Sequence, residues 1–569
     1  MPLWLLAVGV AVAFGAAFRF YGRFLARRLA LDDARTTPAV AQADGVDYVA
    51  TSRPVLVAQH FASIAAAGPV VGPIAAGLAF GWGPSLAWIV LGCIFIGAMH
   101  DFSSLVASLR HGARSIPEMV REHLGKRAWA LALLFIWLSL LYVIVAFTDV
   151  TARQFLAVDE WDGAAHAIGG GVATSSFLYL GLAVAMGLVL EKLKVKLWVA
   201  TLVFLPLVFG VILLGQRIPL VLPVANPAAA WGAVILGYCA LASVLPMWLL
   251  LQPRGYLGGY FLYVVLGVGL LGLLFGGFHA DYPAVTGFVS AKQGPLFPFL
   301  FVTIACGACS GFHGLVCSGT TCKQVAKETH ATAVGYGGML LEGAVAVMAL
   351  ATVMMWPAGA PALAKGPSEI YAAGIAHFMS RVLGVDVHWG TSFGMLAFAT
   401  FVYDTLDVAT RLGRYLMEEL LGLKGRAGRA LATALTLGLP LAYLALAPSA
   451  VVVGGKAQPV WQLVWTIFGS SNQLLAALTL LFLAAWLSEK SMPNRFVLWP
   501  ALFMLATTAT ALAWQLAAAL RDPAGLRSPA GLNALLAAAL LVVAGGFSVE
   551  WVRVWWQRRR RGTSAAAPA

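Results

Sequence analysis

Charge is what this sequence is shortest of. Only 11% of its 569 residues are Asp, Glu, Lys or Arg, against about a quarter in a soluble domain. Hydrophobic residues make up 60%, and the mean hydropathy is +0.85. A chain of this length folded in water would split into domains with solvated surfaces, and so few charges cannot cover them. Soluble enzymes and nucleic-acid binders are excluded on that ground. Long polar stretches are missing too: the largest gaps between apolar runs are 19–57, 109–127 and 357–388. No soluble domain fits between them, so the function has to lie within a bilayer. Acidic residues are the scarcer sign, 24 against 37 basic, a net charge of +13. That balance would suit a polyanion partner, but membrane proteins collect Lys and Arg on their cytoplasmic side, which accounts for it.

At about 20 apolar residues per crossing, the chain reads as about 15 spans, near 1–18, 58–80, 83–108, 128–150, 172–190, 197–214, 229–251, 257–278, 296–321, 333–356, 389–410, 430–448, 460–487, 497–520 and 531–552. A short amphipathic segment is expected around 370–383. No basic residue precedes the first apolar run, and Arg19, Arg23, Arg27 and Arg28 follow it, as they do after a retained anchor. If those arginines face the cytoplasm, the later loops expected inside hold Arg110, Arg114, Arg121, Lys126 and Arg127; Lys192, Lys194 and Lys196; Lys323 and Lys327; Arg411, Arg414, Lys424, Arg426 and Arg429; and Lys490 and Arg495. The arginines at 558–561 end inside as well, and one outer loop carries Asp159, Glu160 and Asp162. The bias predicts an outside N-terminus and a cytoplasmic C-terminus.

Two segments carry Gly and Pro too densely for a continuous helix. In His60-Phe-Ala-Ser-Ile-Ala-Ala-Ala-Gly68-Pro69-Val-Val-Gly72-Pro73, two Gly-Pro pairs interrupt the amide ladder and free carbonyls mid-span. The second runs from Cys306 through Ser310, Gly311, His313, Ser318, Gly319, Thr320 and Thr321, crowded with small and hydroxylated side chains. It lies seven spans later and so crosses in the opposite direction, as in an inverted-topology repeat whose discontinuous helices meet near the midplane. The freed groups need a protein- or water-lined cavity, where a polar solute can sit. Close packing through small residues is the alternative. It suffices for scattered glycines such as Gly267, Gly269 and Gly272, whereas paired position and opposite direction favour a binding site for the two dense segments. A third stretch, Gly469-Ser470-Ser471-Asn472-Gln473, buries polar groups in an apolar run, where interhelical hydrogen bonding and solute contact both fit.

An ionisable side chain at depth is costly and needs a reason. Glu342, about ten residues into an apolar span, is placed to handle a proton or a solute; a structural bond to a neighbouring helix is the alternative. Asp404 and Asp407 lie a turn apart on one face and can share a proton or a cation, with an intrahelical pair to Arg411 as the rival. His100 and Asp101 end another span, and Arg110 lies more than two turns away, too far to neutralise Asp101 within the helix. His60 and His313 sit in the broken segments, where an imidazole can donate to a carboxylate, relay a proton or simply pack. Asp149 reads as an interfacial cap.

Six cysteines are few, yet Cys306, Cys309, Cys317 and Cys322 fall within seventeen positions as C-x2-C-x7-C-x4-C. If the helix unwinds, that spacing admits four thiolates around zinc or an iron–sulfur cluster. Cysteine as a small apolar packing residue is the alternative.

The assembled stretches resemble the carbon starvation protein A family of bacterial inner-membrane transporters: Asp44-Gly-Val-Asp47-Tyr48, the run from His60 to Pro73, Met99-His100-Asp101-Phe102, Cys306-Gly-Ala-Cys309-Ser310-Gly311-Phe312-His313 with Ser318-Gly319-Thr320-Thr321, and Ser471-Asn472-Gln473-Leu-Leu-Ala. They spread from about residue 44 to 480. The resemblance implies uptake of small nutrients, with peptides and pyruvate as proposed substrates, coupled to proton entry. Relatives often carry other small residues or Pro where this chain has Cys309, Cys317 and Cys322, so thiol chemistry cannot be borrowed from the family.

The expectation is an all-α polytopic membrane protein with inverted repeats and two discontinuous helices. An N-terminal anchor covers 1–30, a single transporter domain 31–552 and a basic cytoplasmic tail 553–569, in a bacterial inner membrane. It is a secondary transporter and no enzyme, and it requires no cofactor. Its partners are lipid, protons and a peptide or pyruvate-like carboxylate, which helix N-termini exposed at the breaks would favour. The broken segments with Ser471, Asn472 and Gln473 surround the solute, while His100, Asp101, Glu342, Asp404 and Asp407 couple protons by alternating access. A passive channel and a membrane metal or redox protein built on the cysteines are the alternatives.

Overall fold

The computed structural model describes every residue except 45–47, 162–163, 246–247, 447–450, 454–455, 522–528 and 565–569. Part of the Asp44–Tyr48 stretch, Asp162 and the extreme C-terminus therefore lie outside the described residues. The backbone is helical almost throughout, because in lipid an apolar run must satisfy its own amides. In chain order the helices are α1 (Leu3–Arg28), α2 (Arg53–Ile64), α3 (Gly68–Phe80), α4 (Trp82–Arg110), α5 (Ile116–Leu124), α6 (Lys126–Gln154), α7 (Ile168–Lys192), α8 (Leu197–Arg217), α9 (Pro227–Val244) and α10 (Leu251–Phe275). They continue as α11 (Leu296–Thr303), α12 (Gly311–Gly319), α13 (Thr332–Met354), α14 (Pro367–Leu383), α15 (Val387–Leu421), α16 (Gly425–Leu446), α17 (Val460–Glu489), α18 (Arg495–Arg521) and α19 (Pro529–Ser564). Among the described residues, strands are confined to three two-stranded hairpins in connections.

Among the described residues, twelve helices are long and apolar enough to cross a membrane, thirteen with α2 and α3 taken as one span bent by 51°. The expected count of about 15 is not reached, for two physical reasons. The segment 296–321 is split into the short helices α11 and α12, of 8 and 9 residues. The segment 389–410 lies in α15, a 35-residue helix whose Asp404 and Asp407 make it too polar for an apolar span. Both exceptions belong to the chemistry described below.

Helix α17 is the axis of the bundle: its most apolar stretch is wholly enclosed by protein, whereas α1, α8 and α19 bury about a quarter of theirs. Those outer helices turn side chains such as Trp198 and Leu202 outward, an apolar perimeter of the kind lipid solvates. The anchor packs into the rest through buried Leu3, Leu6 and Phe14, against α10 and α13. The expected amphipathic segment is α14, whose Ile370, Tyr371, Ile375 and Phe378 are buried, with α10 and α15 packed beside it. The basic tail begins as a continuation of α19 as far as Ser564.

Helices α1, α4 and α13 each contain a π turn, at Ala17–Gly22, Cys93–Gly97 and Thr332–Tyr336. The three lie together. The Tyr21 ring is 5.4 Å from Phe95 and 6.2 Å from Tyr336, and the Tyr336 hydroxyl donates to the Ile94 carbonyl at 3.2 Å. Single π turns within α-helices are frequent at functional sites.

Candidate functional site

The two broken segments run antiparallel and meet at their breaks. The Val49 and Thr51 amides donate to the Lys323 and Gln324 carbonyls, and His60 Nδ1 lies 2.9 Å from Thr321 Oγ1. Further along, a Cβ added to Gly68 would fall 2.3 Å from Cβ of Cys306, and one on Gly72 would fall 2.4 Å from the Thr303 carbonyl oxygen. From His60 onward residue numbers rise on one side as they fall on the other (60 to 321, 68 to 306, 72 to 303), the opposite direction expected of the pair. Pro69 stands at the start of α3, where its missing N–H costs nothing. Pro73 sits inside α3 and, with Pro69, lies against Gly307 in the opposite break.

Side chains from other helices take up the groups freed in the second break. The Phe301 carbonyl accepts from Gln473 Nε2 at 2.6 Å, Ile304 from Trp88 Nε1 at 3.2 Å, and Gly307 from the Cys93 thiol at 3.1 Å. On the far side, Asn472 Oδ1 accepts the Phe312 amide at 2.9 Å, while its Nδ2 donates to Ser310 Oγ at 3.0 Å. Asn472 and Gln473, for which two roles fitted the sequence, thus spend these hydrogen bonds holding the break open. Ser471 bonds within α17, to the Phe468 carbonyl at 3.0 Å, and Gly311 gives close passage to the Asn472 carbonyl. Ser318 and Thr320 likewise bond back to the carbonyls of Gly314 and Val316.

Directly past the break, α12 carries His313 into a chain of ionisable groups. His313 Nε2 lies 3.1 Å from Glu342 Oε2 on α13, and its Nδ1 lies 2.9 Å from Asp101 Oδ2 on α4. The other Asp101 oxygen is 2.8 Å from His100 Nδ1. His100, Asp101, His313 and Glu342 are all fully buried. Glycines make the room: a Cβ on Gly314 would fall 3.1 Å from His100 Cε1, and one on Gly338 would fall 2.8 Å from Cδ2 of His60. His60 therefore packs one turn before Glu342 on α13, its Nε2 without a hydrogen-bond partner among the described residues. An imidazole between two carboxylates has two useful states. As imidazolium it donates to Asp101 and is a counter-charge 3.1 Å from Glu342; as a neutral ring it no longer offers Glu342 a charge partner, which favours the protonated carboxyl there. The positions of these four groups allow a proton to reside on His313 or on Glu342.

Asp404 and Asp407 stand elsewhere, paired with a residue the sequence reading passes over. Arg254, fully buried on α10, places Nε 3.1 Å from Asp404 Oδ1 and bonds Asp407 Oδ2 through its Nη1. Tyr238 donates to the same Asp407 oxygen at 2.7 Å, and the guanidinium lies 5.6 Å and 5.4 Å from the Tyr238 and Tyr403 ring centres. The rival intrahelical pair is corrected: Arg411 Nη2 donates instead to the Ala242 and Leu245 carbonyls at 2.8 and 3.0 Å. A cavity of about 20 Å³, bordered by Gln59, Ser63, Thr320, Gln324 and Asp404, separates this cluster from the broken segments; that is room for one water.

All four clustered cysteines are buried and unbridged. Cys306 accepts from Asn472 at the break, whereas Cys322 donates to the Ser318 carbonyl beyond α12. Among the described residues no three of these sulfurs lie within 4.8 Å of one another, so the spacing in sequence does not become a four-thiolate site in space. Below α12 opens a vestibule of about 370 Å³ lined by Tyr48, Ser318, Gly319, Lys323 and Glu419. Beside it the 29–37 segment is latched by buried Glu328, which accepts from Arg35 and Arg110 at 2.9 and 2.8 Å. The Thr329 amide, bonded to Asp33, holds that carboxyl below its usual range. Asp149, expected as a cap, is one: it accepts the Trp461 amide in the first turn of α17 at 2.9 Å.

Known proteins share this chain's sequence across most of its length. The family described as carbon starvation protein CstA matches residues 1–363 and 358–511. The peptide transporter CstA of Escherichia coli is 33% identical, covering 90% of this chain and 81% of that protein. The pyruvate/proton symporter BtsT of the same organism is 31% identical over the same shares, 90% and 81%. Among solved structures, the manganese transporter of Eremococcus coleocola aligns at 12% identity with a TM-score of 0.49, covering 90% of this chain and 99% of its own. On the family match and the Escherichia coli relatives, the chain belongs to the carbon starvation protein CstA family.

Proposed function

We propose that the chain is a proton-coupled secondary transporter importing small carboxylates such as pyruvate, or peptides, across a bacterial inner membrane. The observation that carries this reading is His313, held between Asp101 at 2.9 Å and Glu342 at 3.1 Å at the mouth of a helix break. A break in a transporter helix is where solute sites form, and here the proton-exchanging group is part of the broken segment itself. Loading a proton on Glu342 neutralises one carboxylate and frees His313 to turn or donate, so solute and proton can reach the same element. The vestibule beside Lys323 offers a cationic exit for a carboxylate, and the basic loops support placing that side in the cytoplasm. Asp404 and Asp407 share the single guanidinium of Arg254, which pins α10 to α15. In this reading Ser310, Thr320 and Thr321 are assigned to solute contact.

The test is radiolabelled pyruvate uptake into proteoliposomes with and without an inward proton gradient, unlabelled dipeptides serving as competitors. Accumulation driven by the gradient is expected, and Glu342→Gln should abolish it while leaving exchange of pre-loaded pyruvate. Full gradient-driven accumulation by Glu342→Gln would remove that residue from coupling.

A further inference from the structure

The richest unassigned chemistry lies at the Lys323 end of the bundle, in a cavity of about 550 Å³ lined among others by His111, Glu122, His123, Glu328 and Glu489. Here the two imidazoles face each other, His111 Nε2 standing 2.8 Å from His123 Nε2. The opposite nitrogen of each ring is committed. His111 Nδ1 is 2.6 Å from the Ala107 carbonyl, and His123 Nδ1 is 2.8 Å from Glu489 Oε2. A carbonyl and a carboxylate can only accept, so both Nδ1 atoms carry hydrogen. In the neutral rings both Nε2 atoms are then lone pairs aimed at each other 2.8 Å apart, an arrangement that a proton on one ring or a metal ion between the two relieves.

A carboxylate oxygen of Glu122 completes the group: one ligand atom from each of His111, Glu122 and His123 lies within 4.8 Å of the others. We infer that His111, His123 and Glu122 form a binding site for a divalent transition metal, zinc in the first instance. Two imidazoles and a carboxylate are a normal donor set for zinc. Spacing the two nitrogens for zinc bonds of about 2.0–2.1 Å requires them to part by roughly half an ångström. The Nδ1 bonds to Ala107 and Glu489 are the outer supports that fix the tautomer of metal-bound histidines. The fourth position falls to water from the cavity that all three residues line. Arg114 holds Glu122 Oε2 at 2.6 Å, which leaves the other oxygen for the metal.

His111 directly follows α4, Glu122 and His123 belong to α5, and Glu489 is the last residue of α17. Bound metal therefore ties α4, whose middle carries Asp101, to α5, and through Glu489 to α17, whose Asn472 and Gln473 hold the break. The site sits where a cytoplasmic metal ion would restrain both.

The full chain, without any histidine tag, is stripped with chelator in detergent and titrated with zinc chloride against a chromophoric zinc chelator. One zinc per chain is expected. His111→Gln and His123→Gln should abolish stoichiometric binding, and Glu489→Gln should weaken it roughly 10- to 100-fold. His111→Cys supplies a replacement ligand and should retain zinc, which guards against loss through misfolding. An absence of stoichiometric zinc on the wild-type chain, unchanged affinity in both glutamine variants, or loss only on replacing Cys306 and Cys309 would each overturn the assignment. None of these readouts depends on transport.

Discussion

Replacing Gly68 by alanine should force the two helix breaks apart. The new methyl would stand 2.3 Å from Cβ and 2.4 Å from Sγ of Cys306, where carbon atoms normally rest at about 3.5–4.0 Å. The shortfall exceeds an ångström, and the obstructing Cβ is anchored to backbone, so no rotamer change relieves it. Overpacking of this kind costs about 1–3 kcal/mol, and Gly68→Ala should fall at the upper end. The remedy is specific. Cys306→Gly removes both Cβ and Sγ and leaves only Cα, 3.7 Å from the added methyl, an ordinary contact. Cys306→Gly alone should cost about 1–2 kcal/mol, since it empties part of a buried site and takes an acceptor from Asn472. The double variant should then lose less than the two changes summed, giving a coupling energy of about 2 kcal/mol within the usual range for touching residues. Thermal unfolding of the four proteins in one detergent, followed by monodispersity and pyruvate uptake, reads the cycle. Gly68→Ala melting with the wild type, or simple additivity of the two changes, would refute the face-to-face placement of the breaks.

Three further outcomes follow from other contacts. Arg254→Met strands Asp404 and Asp407 as buried charges and should destabilise the protein by about 3–5 kcal/mol; adding Asp404→Asn and Asp407→Asn should restore most of it, and a triple variant no more stable than Arg254→Met would argue against the pin. Asn472→Ala leaves the Phe312 amide without its acceptor and should cost about 1–3 kcal/mol, measured as a lowered melting temperature, whereas an unshifted melt would mean that the break finds another partner. Glu328→Gln releases Arg35 and Arg110 from a buried carboxylate, so limited proteolysis within 29–37 should accelerate; an unchanged cleavage rate would show that the other contacts of the segment, Asp33–Thr329 and Thr37–Ala326 among them, suffice to hold it.

What the sequence discloses here is local, and what it conceals is the partner. Two Gly-Pro pairs announce a break at 68–73 because proline removes a backbone donor whatever surrounds it, and the breaks lie where the composition places them. The rescue of the freed carbonyls is a different matter, since Trp88, Cys93 and Gln473 come from three positions whose convergence no spacing encodes. His313 and Glu342 were each visible as ionisable groups at depth. That they share Asp101 depends on how α4, α12 and α13 cross. Arg254 escaped because it falls in Gln252-Pro253-Arg254-Gly255, between two expected spans on the side where basic residues are ordinary, so its charge was absorbed into topology. A lone arginine between Pro and Gly at the edge of a span, with two aspartates unpaired elsewhere, is the signal that could have found it. The four cysteines mislead in the opposite way: their spacing resembles a ligand set, but α12 keeps Cys306 and Cys322 at opposite ends.

The π turns set the angular phase of the charged groups. Each fits one residue more than α geometry into its turn, which offsets everything beyond it by about 100° around the helix axis. His100 and Asp101 come three and four residues after the turn at Cys93–Gly97, and Glu342 comes six residues beyond Tyr336, which closes the other. The facing of Asp101 and Glu342 across His313 is therefore a property of residue count as much as of helix position. One residue drawn out of either turn would swing the carboxylate behind it away from the imidazole while both helix ends stayed in place. The Tyr336 hydroxyl holds the Ile94 carbonyl, so the two turns are joined to each other, and each stands ahead of one of the carboxylates that flank His313.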